Sequence, residues 1–320
     1  MKVVLLSMLS LAVSAEEQTF LWRNPGPIER LDLAAGPAGL AHAPKPPFTF
    51  IEEVGGGIAP KMIVTDGRQK KWMVKFGEEA KAETFASRLA WAAGYPTRVS
   101  YYVVKGKIAG AADLRRTKEF VDPNGSFQGA RFQMFDGAQM KQIPGGKLDL
   151  NRKREDQQEL NGLKLLLLLL ANWDVKTQNT GVFEIDGRKY SVITDWGASL
   201  GDPASTDVAA RKWDCAAFDK RTRYLVAGVD GGYVSFNYDQ YAARHEDALS
   251  EGIRVDDMKW FMNRMRKLTD TQLRNGLVAS GATSSEAACF TSAIRKRVSA
   301  FAEVAQVKPQ ITSTLKPTRR

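Results

Sequence analysis

Apolar and polar positions alternate in short runs along the first half of the chain, and beyond about residue 150 the repeat lengthens to that of helices. Phe48–Val54, Lys61–Thr65 and Lys71–Phe76 predict strands, and Asp66-Gly67 between the last two is a hairpin signal. Glu78–Gly94 predicts a helix, with Ala82, Phe85, Leu89 and Ala93 on one face and Gly94 ending it. Arg98–Lys105 reads as a strand that turns at Gly106 and returns over Ile108–Ala111. Ala130–Phe135 reads as a further short strand, and Pro144–Leu150 as a connector.

After that the pattern is mostly helical. Arg154–Ala171 predicts a long helix whose second half, Leu163–Leu170, is apolar all round except for Lys164, as in a helix central to a core. Gly181–Glu184 and Tyr190–Thr194 predict two short strands around the turn Asp186-Gly187, and helices are expected near 206–227, 239–250, 256–266, 270–279 and 284–306. The expected fold class is therefore α+β and bilobal, with a strand-rich N-lobe over 48–140 and a helical C-lobe over 141–306. Residues 16–47 hold six prolines and read as an extended arm over the surface, with room for one short strand; residues 307–320 read as a disordered basic tail. A groove between two unlike lobes is a usual place for a ligand.

Composition narrows the function classes. With 43% hydrophobic and 26% charged residues the chain has material for a real core, which excludes a disordered or collagen-like protein. Lys and Arg number 46 against 36 Asp and Glu, a net charge of +10 that suits an anionic partner such as a nucleotide, a phosphorylated substrate, an acidic polysaccharide, an envelope lipid or a nucleic acid. Only two histidines, His42 and His245, are present, so a His-rich zinc site is excluded. The two cysteines, Cys215 and Cys289, form no C-x-x-C pair. A basic and aromatic patch, Lys70-Lys71-Trp72 with Arg221 and Arg223-Tyr224, lacks the frame of a nucleic-acid module, so nucleic acid is not an expected partner.

The first residues read as an address. Met1-Lys2, the apolar run Val3–Val13 and Val13-Ser14-Ala15 before Glu16-Glu17 form a secretory signal pattern over 1–15. The apolar run is too short to span a bilayer, and the longest later one, Leu165–Ala171, is shorter still, so no transmembrane segment is expected. The mature protein is expected outside the cytoplasm, periplasmic or extracellular, where a Cys215–Cys289 disulfide becomes feasible.

The stretch richest in chemistry is Asn172-Trp173-Asp174-Val175-Lys176-Thr177-Gln178-Asn179, followed by strand, turn, strand and then Asp195-Trp196-Gly197. The hairpin would bring Asp174, Asn179 and Asp195 together, and two carboxylates with a carboxamide are oxygen donors suited to a hard divalent cation. D-V-K-T-Q-N resembles the D-L-K-P-E-N catalytic loop of protein kinases, and D-W-G resembles their D-F-G. The upstream order agrees: the turn Gly55-Gly56-Gly57 between strands, Val74-Lys75 on the third strand, and Glu83 on the helix after it, with Glu79 competing for the same place. Glu83–Gly94 further resembles the corresponding helix of HipA-like kinases. The chain is thus similar to divergent branches of the protein-kinase-like superfamily, among them HipA, lipid kinases and secreted Fam20-type kinases, and it also resembles a family of exported bacterial proteins.

The resemblance implies a bilobal kinase-like fold and a phosphotransferase using ATP and Mg2+ or Mn2+, with an unspecified hydroxyl acceptor on protein, sugar or lipid. It implies that Gly55, Gly56 and Gly57 approach the phosphates, that Lys75 holds them and pairs with Glu83, and that Asp174 orients or deprotonates the acceptor. Lys176 would stabilise the γ-phosphoryl in flight, and Asn179 and Asp195 would hold the metal. Departures matter: Asn172-Trp173 replaces His-Arg, so the usual arginine contact to an activation loop is missing. The glycine turn lacks the full G-x-G-x-x-G, and no A-P-E follows Gly201. They leave open a pseudokinase-like binding module without turnover, or a nucleotidyl transferase on the same fold.

Overall fold

The computed structural model describes residues 18–57, 59–135, 140–150, 156–202, 205–207, 209–222, 225–237, 249 and 251–306. The signal pattern at 1–15, the tail at 307–320 and nearly all of the helix expected at 239–250 lie outside these residues.

The strand-rich part closes on itself. β2 (Phe48–Glu53), β3 (Lys61–Thr65), β4 (Lys71–Phe76), β5 (Ser100–Ala109) and β6 (Ser126–Met134) form a barrel in the order β2-β3-β4-β6-β5. All neighbours are antiparallel except the closing pair, where Phe48 and Thr49 run parallel to Ile108 and Ala109. Phe48, Met62, Val64, Trp72, Val74, Phe76, Phe127 and Phe132 fill the interior. Of the basic and aromatic patch, Trp72 is wholly buried in this barrel and Arg221 is paired with Asp202, while Lys71 is exposed and Arg223-Tyr224 lie outside the described residues.

Gly106 does not turn the chain. It lies within β5, opposite Phe127, where a Cβ would fall 2.7 Å from the Phe127 ring. Glycine is needed there for close approach of the ring, which sequence pattern cannot separate from a turn.

The helical part is organised on α2 (Gln157–Leu169), buried on every side as its apolar run predicts. Around it lie α3 (Cys215–Thr222), α4 (Val255–Met265), α5 (Asp270–Val278) and α6 (Ser284–Gln306). The helix expected over 206–227 is only α3, and the chain then enters a hairpin, β10 (Val226–Asp230) and β11 (Tyr233–Phe236). Asp230-Gly231-Gly232 makes the turn, with both glycines at positive φ. A second sheet has the order β1-β9-β8-β7, built from β1 (Thr19–Phe20), β7 (Lys141–Ile143), β8 (Thr180–Ile185) and β9 (Arg188–Ile193). β7 precedes the segment read as a connector.

The helix α1 (Glu79–Ala93) joins the two parts. Phe85, Ala86, Leu89 and Ala93 belong to the same apolar cluster as α2, α4 and α6 rather than to the barrel interior. The arm reaches that cluster too: most of it is exposed or half-buried, but Leu21, Ile28 and Leu33 are buried in the cluster and anchor it. Its polar groups are also tied, with Trp22 Nε1 donating to Ala93 O and Gln272 Nε2 donating to Ile28 O and Leu31 O.

Cys215 and Cys289 are joined by a disulfide that links α3 to α6 across a sequence separation of 74. Closing a loop of that length removes unfolded-state entropy. Serine at both positions is expected to lower the unfolding free energy by about 2–4 kcal/mol, read from urea midpoints; equal midpoints would show that the bridge contributes nothing.

Candidate active site

Lys75 lies near the end of β4, and α1 begins four residues later, so consecutive turns of one helix face its ammonium. Lys75 Nζ is 2.7 Å from Glu83 Oε2, 3.1 Å from Glu79 Oε2 and 3.7 Å from Asp195 Oδ2. Arg131, the β4 partner of Lys75 on β6, holds the other Glu83 oxygen at 2.7 Å. The side chains of Lys75, Glu83 and Arg131 are all 5% exposed or less, so each charge relies on the others for compensation. The competition between Glu79 and Glu83 thus resolves into a division: both reach Lys75, Glu83 shared with Arg131 and Glu79 with Lys212.

The turn Gly55-Gly56-Gly57 is held from behind, because the Arg116 guanidinium donates to the carbonyls of Val54, Gly56 and Gly57. Among the described residues, no heavy atom beyond the chain neighbours lies within 4 Å of where a Cβ of Gly55 or Gly56 would be, leaving that side of the turn open. At Gly57 the nearest neighbour is Lys61 Nζ, 3.0 Å from the Cβ position. Lys61 is the direct cross-strand partner of Lys75, so the two lysines project from one face of the β3–β4 pair. Sequence reading missed Lys61. The signal was available in the strand register: the Asp66-Gly67 hairpin sets Lys61 opposite Lys75.

The second half of the site is the segment after α2. Asp174 accepts from Lys176 Nζ at 2.8 and 3.0 Å, and Asn179 Nδ2 donates to Asp174 O at 2.7 Å and Oδ2 at 3.0 Å. Thr194 N donates to Asn179 O at 2.8 Å, which sets Asn179 beside the residue preceding Asp195. Trp173 N donates to Ala198 O and Leu200 N to Leu170 O, stitching the loop to the Asp195-Trp196-Gly197 turn. The hairpin therefore brings Asp174, Asn179 and Asp195 into one neighbourhood. Lys75, Glu83 and Asp195 meet directly, Lys176 sits on Asp174, and the glycine turn joins through Lys61.

Electrostatics follows from this packing. Burial works against the charge on Lys75, but Glu83 and Asp195 more than offset it and hold the ammonium protonated well above its ordinary range. Burial would raise the Asp195 carboxyl, yet Lys75, the Gly197 N–H at 2.9 Å and Arg131 bring it below the usual range. Glu79 is lowered in the same way, burial being outweighed by Lys75 and Lys212. Lys61 is pushed down, by burial first and then by Lys75.

For a divalent cation the fit is chemical. Asn179 spends its amide N–H on Asp174 and offers its carbonyl oxygen, while Asp195 offers a part-exposed carboxylate. Two such donors, completed by phosphate and water oxygens, match the way Mg2+ is held.

No family model matches the chain, and no curated protein matches it. Among solved structures it is similar to the Helicobacter pylori proinflammatory kinase CtkA, at 15% identity over 80% of this chain and 95% of that one, with a TM-score of 0.46. It is similar to the Golgi casein kinase at 12% identity over 87% and 74%, TM-score 0.41. It is also similar to HipA of Shewanella oneidensis MR-1, in a toxin–antitoxin complex with HipB and operator DNA, at 13% over 80% and 68%, TM-score 0.35. Barrel, joining helix and helical part together make this an α+β fold with a strand-rich N-terminal part and a helical C-terminal part.

Glu83→Gln removes the carboxylate that Arg131 and Lys75 share, and is expected to destabilise by about 3–5 kcal/mol in chemical denaturation. The lowered carboxyls of Asp195 and Glu79 stabilise the fold above their unfolded values near pH 4, and that stability is lost as pH falls through their folded values. Asp195→Asn with Glu79→Gln is therefore expected to flatten the decline in stability between about pH 5 and 3; an unchanged acid limb would refute the coupling.

Proposed function

We propose that the protein is a phosphotransferase that uses ATP with Mg2+ or Mn2+ and passes the γ-phosphoryl to a hydroxyl acceptor. One observation carries the reading: residues as far apart in sequence as Lys75, Glu83 and Asp195 converge within 2.7–3.7 Å, and Asp195 adjoins the Asp174–Asn179 loop. That is the layout phosphoryl transfer needs, since its catalysis consists mainly of positioning and charge neutralisation.

In this reading Lys75, oriented by Glu83, takes phosphate oxygens at the base of the cleft. Lys61 adds a second cation under the turn Gly55-Gly56-Gly57, whose open side admits phosphate. Asn179 and Asp195 hold the cation, which when bound neutralises charge on the β- and γ-phosphates. Asp174 accepts the proton of the acceptor hydroxyl as its oxygen bonds to the γ-phosphorus. The bond from that phosphorus to the bridging oxygen breaks, and ADP leaves with the electron pair. Lys176, 2.8 Å from Asp174, is placed to follow the negative charge on the transferring group.

The secretory pattern at 1–15, together with the disulfide, supports an exported protein acting in an oxidising compartment. Among the described residues no helix is long and apolar enough to cross a membrane.

Thermal unfolding with Mg2+ and ATP tests the nucleotide site: ligand at 100 times its Kd stabilises by about 2.7 kcal/mol, a shift of several degrees. Asp195→Ala is expected to abolish the metal-dependent shift. Asp174→Ala is expected to keep the shift and to stop release of labelled phosphate from ATP. Equal shifts in wild type and Asp195→Ala would remove the metal assignment, and a wild type that binds without turnover would leave a binding module.

A further inference from the structure

Glu79 and Lys212 have no role in the scheme above, yet they form one ion pair whose carboxylate also touches the phosphate lysine. Lys212 lies between the Asp195-Trp196-Gly197 turn and α3, on a stretch fixed from several sides. Trp173 Nε1 donates to Arg211 O at 3.4 Å, Trp213 N to Ser199 O at 3.3 Å, and Asp214 N to Leu200 O at 2.9 Å. Trp213 Nε1 donates to Glu286 Oε1 on α6 at 2.8 Å, and the Cys215–Cys289 bridge follows at once. These contacts carry Lys212 to the start of α1, where it binds Glu79 Oε1, while Glu79 Oε2 is 3.1 Å from Lys75 Nζ.

Two glycines make room for this bridge. At Gly201 a Cβ would fall 2.2–2.4 Å from the backbone of Arg211 and Lys212, and at Gly197 it would fall 3.0 Å from Glu79 Oε2. Any side chain at 201 would push the Lys212 stretch away from α1.

A carboxylate held by two ammonium groups binds each less firmly than it would bind one alone. Lys75 must release part of its hold on carboxylates to take phosphate oxygens, and Glu83 is already committed to Arg131. We propose that Lys212 is a positioning residue which, by holding Glu79, keeps Lys75 available to phosphate, so that the stretch 209–214 reports its placement to the nucleotide site through a single carboxylate. The proposal rests on the nucleotide reading. No phosphorylated side chain is needed for it; the bridge is assembled from the unmodified chain.

The test measures Mg2+·ADP binding by calorimetry to the full disulfide-bonded chain as wild type, Lys212→Met, Lys212→Arg, Glu79→Gln and the double variant Glu79→Gln/Lys212→Met. Lys212→Met is expected to weaken binding about 3- to 10-fold, a coupling in the range of neighbouring charged groups, and Lys212→Arg to restore it. The double variant is expected to bind as Glu79→Gln does, because Lys212 acts only through Glu79. Glu79→Gln is expected to bind no more weakly than Lys212→Met, since a neutral amide does not compete for Lys75, and this comparison also serves if one variant fails to fold. Equal weakening by Lys212→Met in both backgrounds, or none in either, overturns the proposal while leaving the nucleotide site intact. A wild type that takes up no Mg2+·ADP removes the nucleotide reading and the proposal together.

Discussion

The Lys75 ammonium is the charge on which the rest of the structure turns. It is buried at the seam where the barrel meets α1, and an unpaired ammonium there would be too unfavourable to remain charged. Its compensation comes from three carboxylates on two elements: Glu79 and Glu83 on α1, and Asp195 after β9. The pair also has to be satisfied on its far side, which is why Arg131 on β6 is buried against Glu83. One charge thus joins β4, β6, α1 and the turn at Asp195 at a single point.

The position of α1 follows from a different force. Its apolar residues sit in the core of the helical part, and the arm at 18–47 closes over that core with Leu21, Ile28 and Leu33. Burying side chains of that size contributes about 1.5–3 kcal/mol each, so moving α1 outward would expose both its own face and the arm. Glu83 is thereby delivered to Lys75 by hydrophobic packing, and the ion pair has only to choose a rotamer rather than to hold a helix.

Much of this was legible in the sequence, and the rest was not for physical reasons. α1, α2, α5 and α6 follow from apolar periodicity because each is packed along a long face. Gly106 misled because a glycine that admits the Phe127 ring and a glycine that turns a chain are the same residue. The hairpin β10–β11 went unread: the helix expected over 206–227 runs into its first strand, and 228–238 carried no assignment although Asp230-Gly231-Gly232 is turn chemistry between two short apolar runs. In the site, residues with a fixed motif spacing could be read directly. Lys61 was legible only through the strand register that the Asp66-Gly67 hairpin sets, and Lys212 was not, since it meets the cluster through a disulfide-anchored stretch.

The charge balance of the cluster gives the arrangement its direction. Lys75, Arg131 and Lys212 are matched by Glu79, Glu83 and Asp195, and Lys61 is the surplus cation, facing the open glycine turn. Burial and the neighbouring Lys75 disfavour its charge more than Asp195 and Glu83 favour it, so the cluster as it stands leaves a cation beside the open turn. A polyphosphate arriving under the turn would relieve that repulsion, and the same negative charge would draw Lys75 from its carboxylates toward the ligand. In the proposed nucleotide reading, binding and orientation of the phosphate are one electrostatic event, with the acidic residues holding the cations in place until an anion arrives.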